Sequence, residues 1–253
     1  MRFYLGYINH LGRLPKKSAR LVRQAHQLVR QAGFTITEVL LAGLMMLIVI
    51  SVSGIGVTNL LRSNYRANAG TEIQNNLNRT LEFVSDEVRR AKTIADSEAA
   101  ITSTQVPTGA RAVLAFQIPD PNNPGQAPLN EQIVYYTQNS RTQDGLTGLV
   151  LWRYGPNLDD NGNYTTPQDI ATWQHSPVTD MLAAAANNPN CLTGFTRIPT
   201  LGNVDDFYTC VRNGGGQVIL NANAEVEMTT VTNENRDKVK YSVSTRVSPR
   251  ATN

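Results

Sequence analysis

The sequence predicts an α+β fold in which one long helix, apolar in its first half and amphipathic in its second, packs on an antiparallel sheet. Three observations carry this. Residues 39–61 contain no charged side chain. Downstream, apolar side chains recur at Ile73, Leu77, Leu81, Val84, Val88, Ala91 and Ala95 in steps of three and four, the spacing of one helical face. After residue 110, short runs rich in β-branched and aromatic residues alternate with Gly, Pro and Asn turns, as strands do.

Residues 1–33 hold seven of the 23 Lys and Arg and none of the 20 acids. The remaining chain therefore carries 16 basic against 20 acidic residues, a net of −4. A helix over residues 39–61 is about 35 Å long, enough to cross a bilayer core. Its basic flank places the N-terminus on the cytoplasmic side. The stretch from Arg13 to Arg30 reads either as a basic amphipathic helix on the inner leaflet, with Leu21, Leu28 and Val29 as contacts, or as a solvated leader.

An acid at the lip of a membrane segment is costly unless it has a partner, so Glu38 points to function. The surrounding residues Gly33-Phe34-Thr35-Ile36-Thr37-Glu38 resemble the processing site of type IV prepilins and type II secretion pseudopilins. The resemblance implies a basic prepilin leader over 1–33, cut after Gly33 by a prepilin peptidase that methylates the new amine at Phe34. It implies a transmembrane and assembly helix over 34–61, in which Glu38 pairs with the Phe34 amine of a neighbouring subunit. It also implies the pilin fold, with a periplasmic head, and an inner-membrane assembly platform, the lipid bilayer and other pilins as partners. Many pilins have a proline where this chain has Ile55, flanked by Gly54 and Gly56, so these glycines are where the helix would loosen.

The amphipathic helix is expected to continue over 62–96, supported by Asp86 with Arg90 and Arg79 with Glu82. With the membrane span it would reach about 90 Å. The head, 97–253, should contain a strand at RAVLAFQI, a long-looped hairpin from EQIVYYT and GLVLWRYG, and a second hairpin from DFYTCVR and QVILN around Asn213-Gly214-Gly215-Gly216. A final strand, VKYSVSTRV, should bury Val239, Tyr241, Val243 and Val247. Residues 155–190 read as an insertion with a short helix at TDMLAAAAN. The LVLWRYG hairpin also looks like the sheet of larger minor pseudopilins of the PilW/PulJ type.

Cys191 and Cys210 are the only cysteines, and beyond a membrane they are expected to form a disulfide in an oxidising compartment. His175 with Cys191 is the one conceivable catalytic dyad in the exported part, while no G-x-S-x-G, P-loop or zinc spacing occurs, so no enzyme activity is expected. Asp159, Asn161 and Asn163 have the alternating spacing of calcium ligands, but the glycine position and the missing closing Glu favour a solvated Asx-rich turn. No other cofactor is implied. The acidic head disfavours nucleic acid, though it leaves room for a small basic patch such as Arg236, Lys238 and Lys240. The expected function is thus a minor pilin or pseudopilin, a priming or tip subunit. The alternatives are a signal-anchored periplasmic binding module and a DNA-uptake minor pilin.

Overall fold

The computed structural model describes residues 34–123, 125–140, 145–146, 148–227 and 238–250. The leader, Gly33 and Arg236 lie outside the described residues. The chain divides into two compact units after Leu61.

Helix α1 (Ile36–Arg89) runs 54 residues. It contains no proline, and it stays helical through Gly54 and Gly56, although each glycine costs about 1 kcal/mol relative to alanine. Hydroxyls in the apolar part bond to the helix itself: Ser51 Oγ donates to the Leu47 carbonyl at 2.8 Å and Thr58 Oγ1 to that of Ile55 at 2.9 Å. That removes the cost of a bare hydroxyl in hydrocarbon. In the first unit every described residue is exposed. α1 is long and apolar enough to cross a membrane.

The second unit buries one face of α1, at Ile73, Leu77, Leu81, Val84 and Val88. The helix stops at Arg89, six residues before the expected end at Ala95. The Arg90 and Ala91 amides close tight turns onto Glu87 and Val88, and the Lys92 amide then donates to Gln117. Ala91 and Ala95 are nevertheless buried, because the chain leaves the helix without leaving the core. Periodicity alone cannot register that change of backbone.

The strands are β1 (Thr93–Ile94), β2 (Arg111–Gln117), β3 (Ile133–Asn139), β4 (Leu149–Gly155), β5 (Gln174–Leu182), β6 (Phe195–Ile198), β7 (Phe207–Arg212), β8 (Val218–Glu227) and β9 (Lys238–Val247). All pairings are antiparallel. β1 to β5 form one run and β6 to β9 another. They join where Leu182 of β5 pairs with Ala224 of β8, just beyond the β7 pairing that ends at Ala222. A register shift at Val113 interrupts β2, and the freed Val113 carbonyl accepts the Thr209 hydroxyl of β7 at 2.6 Å.

Both expected hairpins form. The second turns through Gly215, whose φ is +74° and where a Cβ would stand 2.6 Å from the Ile94 carbonyl oxygen, so only glycine fits. β9 alternates as expected, but Val239, Tyr241 and Val243 are half-buried and only Val247 is fully buried. The expected helix at 179–187 does not form: Thr179 to Leu182 finish β5, and 183–190 have no regular structure. A nine-residue alanine-rich window is too short to nucleate a helix unaided, whereas β4 offers it a strand to pair with.

One buried contact ties helix to sheet. Arg153 of β4 forks onto Glu87 of α1, Nε to Oε2 and Nη2 to Oε1, both at 2.7 Å, and both side chains are about 96% buried. The Tyr135 hydroxyl of β3 also donates to Glu87, and Arg153 Nη1 donates to the Pro156 carbonyl at 2.9 Å. Burial works against the Arg153 charge, but Glu87 more than offsets it and its pKa is pushed up. Burial and then the Glu87 charge push the Tyr135 hydroxyl well above its ordinary range. Gly155 leaves room for the guanidinium, since a Cβ there would lie 2.9 Å from Nη2.

Removing one partner strands the other charge, so Arg153→Met is expected to cost about 3–5 kcal/mol. The double variant with Glu87→Leu should recover most of that loss in denaturant melts.

Candidate functional site

The described residues of the predicted processing motif, Phe34 to Glu38, lie at the start of α1. Phe34 is exposed ahead of the helix, and Thr35 and Glu38 form a reciprocal cap. The Glu38 amide donates to Thr35 Oγ1 at 3.3 Å, while Glu38 Oε2 faces the Thr35 amide at 3.4 Å and hydroxyl at 3.3 Å. This is the S/T-x-x-E box that starts helices, and a carboxylate in the first turn also suits the helix dipole. Beyond it the surface is continuously apolar: Val39, Leu40, Leu44, Met46, Leu47 and Val49 are each more than half exposed. So large an uncovered apolar surface marks a membrane or protein interface.

Cys191 and Cys210 form a disulfide with Cα atoms 5.7 Å apart. Cys191 therefore offers no thiol, and a dyad with His175 is excluded. His175 of β5 instead joins an aromatic cluster with Tyr136 of β3 and Tyr154 of β4. Its Nδ1 lies 2.9 Å from the Tyr136 hydroxyl, and its ring is 4.9 Å from that of Tyr154. Partial burial lowers its pKa.

Asp159, Asn161 and Asn163 do converge, as a turn. Asp159 Oδ1 accepts the amides of Asn161 at 2.9 Å and Asn163 at 2.8 Å, and Oδ2 accepts the Asn163 side-chain amide at 3.3 Å. The Asn163 amide above all holds the Asp159 pKa down. Among the described residues no group of three His, Cys, Asp or Glu side chains has metal-binding geometry. Lys238 and Lys240 share one acid, Glu225, at 2.5 and 2.9 Å, so a single carboxylate offsets one of the two positive charges in this part of the expected basic patch.

A groove of about 690 Å³ lies between α1 and β5 in the second unit. Asn76, Arg79 and Phe83 line one wall, Gln174 and Val178 the other. Arg79 makes no ion pair among the described residues, so the expected bridge to Glu82 is not formed. The other expected pair also differs. Asp86 bonds Arg89 at 2.5 Å, while Arg90 reaches the Gly162 carbonyl at 2.5 Å and stacks over Tyr164 at 5.4 Å.

Carboxylates hold the irregular loops. Asp205 Oδ1 accepts the amides of Ala186 at 2.6 Å and Asn187 at 2.7 Å. Glu98 Oε2 accepts the Thr200 hydroxyl at 2.5 Å and amide at 3.0 Å, and these bonds lower its pKa. At the start of β2, Arg111 pairs with the buried Asp206, whose pKa burial raises against the opposing pull of Arg111.

Sequence reasoning missed the Glu87–Arg153 pair. Its signal was an arginine inside the apolar run LVLWRYG, together with a glutamate among the buried positions of α1.

No protein-family model matches the chain, and no curated protein or solved structure matches it.

A depressed Glu98 pKa contributes stability above the ordinary glutamate range, lost as pH falls through the folded value. Glu98→Gln is therefore expected to flatten the fall of melting temperature between about pH 5 and pH 3, around the free glutamate pKa of about 4.3. A wild-type slope in the variant would remove Glu98 from that account.

Proposed function

We propose that this chain is a minor pilin or pseudopilin, a non-enzymatic subunit with the pilin fold. It is cut after Gly33 by a prepilin peptidase and assembled with related subunits through α1. One observation carries the reading: the helix that begins at the Thr35–Glu38 cap is exposed as far as Leu61, without a charged side chain from Val39 on, before it becomes the core helix of an antiparallel head. A bilayer satisfies that surface before assembly, and neighbouring helices satisfy it afterwards.

In this reading the N-terminus faces the cytoplasm and the head faces the periplasm, where the Cys191–Cys210 bridge is stable. Cleavage creates a positively charged amine at Phe34, one residue before the cap. In the filament, Glu38 exchanges its local bonds for that amine on a neighbouring subunit, so two charges offset each other in an apolar core. The broad head suits a priming or tip position, where it need not pack against many copies.

Intact-mass analysis of membrane-extracted protein tests this, with and without prepilin peptidase. The expected product begins at methylated Phe34 only when the peptidase is present. An uncut chain in both strains overturns the reading in favour of a signal-anchored binding module, with the groove between α1 and β5 as its natural site. Glu38→Val is expected to leave cleavage intact and to abolish recovery of the subunit with sheared filaments.

A further inference from the structure

Among the described residues, β9 is a long open edge. It pairs with β8 residue for residue, from Lys238 with Glu227 to Val247 with Val218, without a register shift. From Val239 to Val247 its main chain bonds only to β8 among the described residues. About half of its N–H and C=O groups therefore face away from the sheet unpaired.

Proteins usually blunt such edges with shortness, charge, proline or bulges. The other edges here use shortness, proline or bulges, whereas β9 relies on cationic side chains alone, which repel a basic strand and admit an acidic one. β1 has two residues and β6 four. β5 carries Pro177 and two register shifts. β9 has ten residues, no proline and no bulge.

Its side chains specify what fits. One face exposes Lys240, Ser242, Ser244 and Arg246, and the other carries Val239, Tyr241 and Val243, half-buried against the core. On the paired side, Glu225 of β8 already answers Lys240 at 2.9 Å. Arg246 lies over the Phe195 ring at 5.9 Å and makes no ion pair among the described residues. A second copy is a poor occupant. Two-fold antiparallel pairing in the registers that align most of the strand sets Arg246 opposite Lys240 or Lys238, and like charges directly opposite are destabilising.

We propose that β9 is an acceptor edge for an extended segment of a partner protein in which acidic and apolar residues alternate. The acids would face Lys240 and Arg246, and the apolar side chains would extend the strip of Val239, Tyr241 and Val243. The inference rests on the sheet alone and does not depend on processing or assembly through α1.

The test uses the full chain in detergent micelles with two synthetic decapeptides, one alternating Glu and Val, the other Lys and Val. The Glu-Val peptide is expected to bind about tenfold more tightly at low salt, the scale of two or three cross-strand charge pairs. It should also slow hydrogen exchange of the β9 amides. Lys240→Glu with Arg246→Glu should reverse the preference. Arg246→Glu alone, which breaks no ion pair of this chain, should narrow it, so the test survives if the double variant fails to fold. Equal binding of both peptides, unchanged exchange in β9, or a dimer whose β9 amides are protected without peptide would each overturn the proposal.

Discussion

Glu87 and Arg153 impose the constraint on which the head is organised. An ion pair taken out of water recovers its desolvation cost only with near-ideal geometry and satisfied remaining donors. The molecule meets those conditions through the two-pronged contact, the Tyr135 hydroxyl and the Pro156 carbonyl. Each partner comes from a different element, so α1, β3 and β4 must sit in one rotational setting. Apolar packing alone tolerates sliding along a helix face. A charged fork does not.

That constraint spreads outward through small residues and short contacts. Gly155 is glycine because the guanidinium occupies the space beside it. Arg90, three residues past Glu87 and just beyond the end of α1, holds the Asp159 turn through Gly162. The sheet then continues through the narrow β5–β8 joint, braced by Thr209 on Val113 and by Arg111 on Asp206. Polar contacts thus fix the register of two strand runs that share little main-chain pairing.

Much of this was legible in the sequence where one physical signal dominated. The three-and-four spacing from Ile73 to Val88 and the alternation in VKYSVSTRV reflect burial on one side, and burial decides both elements. The end of α1 was not legible, because Ala91 and Ala95 remain buried after the backbone has become strand-like. β5 was not legible either: the alanine-rich stretch that follows it favours helix locally, and its pairing with β4 is a long-range fact. At the candidate site, Glu38 announced itself as an acid at the lip of an apolar run, whereas its reciprocal cap with Thr35 was not anticipated. The Glu87–Arg153 pair left only an oddly placed arginine and glutamate, whose meeting depends on the sheet register.

The disulfide has a consequence for how the molecule withstands proteolysis. Cys191 and Cys210 enclose β6 and the loop at Leu201, which is 83% exposed and is the kind of site where proteases cut. A single nick there leaves both ends covalently joined, while Arg197 holds Pro189 to Pro199 and Glu98 holds Thr200. The head is built to be cut once without coming apart.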